Sequence, residues 1–144
     1  MMPSLGCLWN RPRLERLVDE GTRRPDQRLA SLDAATEALA LIEALNERRR
    51  AERRQATALD ISLHLGTVQY GNVGTAARLD FTVIGPAVNE ASRIEKLCEP
   101  LGRNLVISQQ FAEAATSCRS RLVSLGRHRL RGVREETELF GLLS

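Results

Sequence analysis

Asn89 and Arg93 are four positions apart, and their types and spacing could do chemistry together. They fall in Pro86-Ala87-Val88-Asn89-Glu90-Ala91-Ser92-Arg93-Ile94, which reads as a helix, so both side chains project from one face into the same space. One substrate can meet both. The carboxamide offers donors and an acceptor, and the guanidinium offers a planar fork suited to anionic oxygens. The competing reading is a surface Asn and an Arg paired with Glu90 or Glu95, an exposed contact worth about half a kcal/mol. Thr82 stands just upstream with a hydroxyl that can accept or donate, and equally suits a strand as a β-branched residue. Arg131, with Arg127, Arg129 and Arg134 around it, reads either as an anion contact or as a strand edge of exposed arginines. Neither His64 nor His128 has a metal-ligand partner at suitable spacing, so both read as ordinary surface or rim residues.

The elements that must position these groups follow from periodicity. Leu29, Leu32, Ala35, Leu39, Ile42 and Leu45 recur at threes and fours from Pro25 onward, which predicts an amphipathic helix. It runs into Asn46 to Arg54, whose arginines read as a solvated helix end at the negative pole of the dipole rather than as a phosphate-binding patch. Ala58 to Gly66 alternates apolar and polar residues and predicts a half-buried strand, with Leu59, Ile61, Leu63 and Leu65 inward and Asp60, Ser62 and His64 on the other side. Gly66, Gly71 and Gly74 predict a turn-rich connection over Thr67 to Gly74, before a second strand over Leu79 to Ile84 completes a hairpin. Pro86 opens the helix of Asn89 and Arg93, with Val88, Ala91, Ile94 and Leu97 or Cys98 as its apolar positions, and Pro100 and Gly102 close it. Asn104 to Ile107 predicts a short strand and Ser108 a cap for a helix over Gln109 to Ala115. Two further strands are expected over Arg121 to Leu130 and Glu136 to Leu143. Met1 to Arg24 keeps no period for long, although Arg13 to Glu20 has room for a helical turn or two. Residues 1–24 are therefore expected to be a leader, disordered or non-native, and residues 25–144 a single domain.

Composition narrows the classes. Hydrophobic residues at 42% and charged residues at 27% suit a soluble globular domain. No apolar run approaches the roughly 20 residues that span a bilayer, and the N-terminus lacks the pattern of a secretion signal. The formal charge of +3 is almost all arginine, and with aromatics at only 3% it does not support nucleic-acid binding. Cys7, Cys98 and Cys118 are odd in number and far apart, which predicts reduced thiols and a cytoplasmic location.

The segment Gly66-Thr67-Val68-Gln69-Tyr70-Gly71-Asn72-Val73-Gly74, followed by Arg78-Leu79-Asp80-Phe81-Thr82-Val83-Ile84-Gly85-Pro86-Ala87-Val88-Asn89-Glu90-Ala91-Ser92-Arg93-Ile94-Glu95, resembles the class III adenylate and guanylate cyclase catalytic domain. The likeness continues through Cys98 to Gly102 and Val106 to Ser108, and resumes over Leu125 to Val133. It rests on the ordered combination, since a glycine-rich turn alone is weak evidence. The resemblance implies an α/β (α+β) fold of the ferredoxin-like βαββαβ type, and conversion of ATP to cyclic AMP and pyrophosphate in signal transduction. It implies that Asn89 orients the ribose and that Arg93 stabilises the phosphates as charge builds in the transition state. It places Thr82 at the adenine-selecting position, where a large bacterial group carries threonine, and Arg131 where the family has a triphosphate-contacting lysine.

Family members also use Mg or Mn, held by two aspartates: one in a Phe-x-Asp run on the first strand, the other in a following hairpin. Neither motif stands in this sequence; Asp19, Asp26 and Asp33 lack such surroundings, and Asp60 and Asp80 match other parts of the pattern. The chain therefore resembles the C-terminal part of the domain, N-terminally truncated, with an unpaired sheet edge and no activity alone. The partners implied are ATP and a second cyclase domain, as homodimer or heterodimer. The alternative is a non-catalytic nucleotide-binding or regulatory module that dimerises with an intact cyclase.

Overall fold

Apolar residues at spacings of three and four hold Pro25–Ala51 in one long helix, and alternation holds the strands that follow. The computed structural model describes residues 2–9, 16–18, 25–75 and 78–143, and side chains within 27–69 and 83–143. In chain order the elements are β1 (Met2–Trp9), β2 (Arg16–Val18), α1 (Pro25–Ala51), β3 (Asp60–Thr75), β4 (Arg78–Ile84), α2 (Pro86–Glu95), α3 (Cys98–Leu101), β5 (Leu105–Ser108), α4 (Gln109–Ala114), a 3-10 helix (Thr116–Arg121), β6 (Leu122–Arg129) and β7 (Glu136–Leu142). The strands form one sheet in the order β2-β1-β3-β5-β7-β6, with β4 paired to the far half of β3. The β3–β5 pairing is parallel, and the other pairings are antiparallel. This is the α/β, ferredoxin-like arrangement expected.

Both faces of the sheet are covered, and the alternation along each strand decides which residue goes where. Ile61, Leu63, Leu105, Ile107 and Phe140 face Leu32 and Ala35 of α1 and Phe111 of α4. Val106 and Leu139, one residue out of phase, face Ile94 of α2 and Cys98 of α3. A third cluster, Val68, Val83 and Ala87, joins the β3–β4 hairpin to α2. Burial pushes the Cys98 thiol up to about 12, helped by Asp60 and Glu95, so this sulfur is a packing group rather than a nucleophile.

The structure departs from the sequence reading in several places. β3 does not stop at Gly66 but runs to Thr75, with Gln69 to Thr75 paired against Ile84 to Arg78; the glycines sit inside a strand, where a missing side chain lets another backbone close in. The strand expected to be half-buried is buried on both sides: Ser62 is 1% and His64 4% exposed, because α2 covers the face that alternation alone assigned to solvent. Pro100 lies within α3 instead of ending a helix, and Gly102, at φ 60°, closes it. Finally, the edge expected to be unpaired carries β1, from Met2 opposite Val68 to Trp9 opposite Asp60, with an irregularity between Leu5 and Cys7. β2 pairs with β1 in turn, where the sequence leaves room for a helical turn; the rest of residues 1–24 lies outside the described residues.

Two local devices set the joints. Asn46, buried within what reads as a charge run, donates from Nδ2 to the Thr57 carbonyl at 2.9 Å and accepts from the Thr57 N–H at 2.8 Å, fixing the chain between α1 and β3. At the start of α4 the Phe111 N–H donates to Ser108 Oγ at 3.1 Å, the cap expected from sequence. Ser108→Ala should cost about 1 kcal/mol of stability, because a buried N–H at the helix start loses its acceptor. Urea unfolding should show the midpoint falling with an unchanged slope.

Candidate functional site

Three residues on one side of β3, each two apart, meet α2. Ser62 Oγ donates to the Ala91 carbonyl at 2.9 Å. His64 Nε2 lies 3.1 Å from Glu90 Oε2. Gly66 is where strand and helix come closest: a Cβ there would stand 2.5 Å from the Ala87 Cβ and 3.0 Å from His64 Nε2. A side chain at position 66 would therefore push α2 off the sheet. The helix buries Ala87, Ala91 and Ile94, with Val88 only half-buried. This rotation turns Asn89 and Arg93 to the side away from the sheet, Asn89 exposed and Arg93 half-buried.

Arg93 is held from a second direction. Gly132 adopts φ 78°, a left-handed conformation in which a side chain is strained, and an added Cβ would lie 3.5 Å from Arg93 Nη2 and 3.6 Å from Nη1. The guanidinium thus rests against the turn after β6, anchored by the buried Leu130, whose carbonyl accepts from the Val133 N–H at 3.0 Å. Arg131 is exposed on that same turn. The structure therefore brings Asn89 and Arg93 onto one helix face and sets the Arg131 turn against Arg93. Thr82 sits on β4 opposite Gly71, three residues before Gly85; its side chain lies outside the described residues. Glu90, one of two carboxylates considered as partners for Arg93, is committed to His64 instead.

His64 corrects the expectation of a surface or rim residue: it is 4% exposed, and Nδ1 is buried without a hydrogen-bond partner. Burial pulls its pKa below the ordinary value, against the opposing effect of Glu90. The signal that could have found it lies in the chain order, because a strand followed by a packed helix has no solvent side. His128 is half-buried, its Nε2 2.8 Å from the Leu125 carbonyl. A cleft of about 540 Å³ opens beside the strand–helix contact, lined by His64, Gly66, Thr67, Gln69, Glu90 and Gln110 among others, and neither Asn89 nor Arg93 is in its lining.

Among the described residues no three His, Cys, Asp or Glu side chains gather where they could hold a metal ion. Asp60 accepts from Asn104 Nδ2 at 3.2 Å and Asp33 pairs with Arg121 at 2.6 Å. The basic end of α1 is likewise engaged locally, Arg49 donating to the Gln55 carbonyl at 2.7 Å and Arg50 pairing with Glu43 at 3.1 Å. No described helix is long and apolar enough to cross a membrane.

The family model described as the adenylate and guanylate cyclase catalytic domain matches residues 20–144. An adenylate cyclase of Anabaena cylindrica is 53% identical over 49 residues, which cover 34% of this chain and 10% of that protein. Adenylate cyclase 1 of Rhizobium meliloti (strain 1021) is 31% identical over 105 residues, 73% of this chain and 14% of that protein. The chain thus spans a small part of these relatives. Among solved structures, the guanylyl cyclase Cya2 superposes with a TM-score of 0.73 at 21% identity, over 95% of this chain and 69% of that one. The adenylyl cyclase CyaB from P. aeruginosa gives 0.69 at 19% identity, over 96% and 72%. At these identities the likeness is one of fold.

Proposed function

The chain belongs to the adenylate and guanylate cyclase catalytic-domain family, and on that premise we propose that it supplies the nucleotide-contacting half of a composite cyclase site that acts on ATP. The observation that carries this reading is the placement of Asn89 and Arg93 on one outward face of α2, with the Arg93 guanidinium against the Arg131 turn. Asn89 holds the ribose so that its 3′-oxygen points at the α-phosphate. The O3′–P bond forms as the bond to the β-phosphate oxygen breaks, pyrophosphate leaves, and the 3′-hydroxyl proton passes out of the site. Arg93 donates to oxygens on which charge grows during that exchange, and Arg131 contacts the triphosphate. Thr82 receives the adenine edge, its hydroxyl accepting from the exocyclic amine.

The metal-binding carboxylates come from a second cyclase domain docked head to tail, so the chain is inactive alone and works as a dimer in the cytoplasm, in cyclic-nucleotide signalling. ATP titrated into the chain should shift the amide resonances of 87–95 and 130–133, GTP should do so more weakly, and Asn89→Ala should weaken ATP binding by about tenfold. Shifts that avoid both segments would sink this reading.

A further inference from the structure

The two groups assigned to substrate stand on a ten-residue helix, and a titratable pair, His64 buried and Glu90 half-buried, fixes that helix to the sheet. We infer that His64 and Glu90 are positioning residues for the nucleotide-facing helix, setting α2 so that Asn89 and Arg93 point outward together. The inference deepens the proposed function and rests on it. Glu90 lies between the two substrate groups in sequence, one residue after Asn89 and three before Arg93, yet its side chain turns to the sheet. Any roll of α2 that carried Asn89 and Arg93 away from a substrate would break the 3.1 Å contact. The neighbouring ties share the load differently. Ser62 holds a backbone carbonyl and Gly66 sets the closest approach, and neither tie changes charge with pH.

The carboxylate of Glu90 only accepts, so the His64 proton sits on Nε2 and donates to it, which leaves Nδ1 as a buried lone pair. A second proton would create an N–H donor at Nδ1 with no acceptor. Among the described residues lining the adjoining cleft only His64 and Glu90 ionise; Thr67 and Gln69 of β3 and Gln110 of α4 are neutral. Arg93 and Glu95 on α2 and Asp60 on β3 are the nearest charged neighbours along the two elements. Burial outweighs Glu90 and lowers the His64 pKa, so the folded arrangement takes up a proton less readily than the free side chain. The pair therefore holds at and above the ordinary value of 6.5 and is strained as pH falls below it.

The test measures affinity for a non-hydrolysable ATP analogue between about pH 5 and 8, with hydrogen exchange of the 87–95 amides followed on the same samples. Wild-type affinity should fall as pH drops below the ordinary histidine range. His64→Gln keeps a donor for Glu90 without titrating; it should bind within about twofold of wild type at neutral pH and flatten the profile. His64→Leu, which strands the Glu90 carboxylate, should bind about tenfold more weakly and exchange faster in α2. Ser62→Ala should lower stability yet keep the wild-type pH profile, which separates positioning from general loosening. His64→Gln with the wild-type pH profile, or His64→Leu with wild-type affinity, would overturn the inference. If the wild type binds no nucleotide, the proposed function fails. The exchange data then decide alone: faster α2 exchange in His64→Leu than in His64→Gln supports positioning, and equal exchange overturns it.

Discussion

Replacing Arg93 by alanine is expected to cut cyclic AMP formation about 100- to 1000-fold in a mixture of this chain with a cyclase domain that brings its own metal carboxylates. Its guanidinium lies against Gly132 and is only half-buried, so its removal opens little of the core. Most of the loss should fall on kcat, because the donors act where charge grows as pyrophosphate departs. Arg93→Lys keeps the charge and loses the planar fork, and should recover only part of the rate. Steady-state kinetics of the mixture at saturating ATP check both variants, with unfolding curves as the control. A fall in kcat/KM carried by KM alone would reassign Arg93 to ground-state binding.

Phe111→Ala is expected to cost about 3 to 5 kcal/mol, a large part of the roughly 5 to 15 kcal/mol that holds a domain of this size. Phe111 is 0% exposed and sits between α1 and the sheet, in contact with the same cluster as Leu32, Ile61, Ile107 and Phe140. The ring is removed from a short helix with few other anchors, so the surroundings have little with which to fill the space. Both core strands that meet it, β3 and β5, also carry the opposite face on which α2 is seated. Urea unfolding should show a sharply lower midpoint, and nucleotide binding should fail at temperatures where the wild type still binds.

The sequence made most of the helices and strands readable because their periods are strong. α1 follows from leucines at threes and fours, and the cap of α4 from a serine before a helical run. β3 was misread at Gly66 because glycine marks turns far more often than close approaches; the Ala87 methyl that makes this glycine necessary is twenty-one residues away. His64 was misread for a related reason. Alternation says which side of a strand a residue takes, and only the packing of α2 says that the second side is closed. β1 and β2 were not foreseen because Met2–Trp9 carries Pro3 and Gly6 and no sustained period; its pairing is set by the edge of β3.

Of the site, the spacing of Asn89 and Arg93 on one helix face could be read directly, since it depends only on helical geometry. The approach of Gly132 to the Arg93 guanidinium could not, because it joins the turn after β6 to a helix thirty-nine residues earlier. The long-range contacts that seat the helix, His64 to Glu90 and Ser62 to Ala91, are beyond any local pattern for the same reason.

The most direct test of the account is to mix this chain with a cyclase domain that keeps its metal-binding carboxylates but has lost its own asparagine and arginine, and to measure cyclic AMP. Neither component should make product alone and the mixture should, with activity that disappears when Arg93 is replaced. A mixture that binds ATP and stays silent with every such partner would contradict it, and would leave the chain as a nucleotide-binding regulatory module.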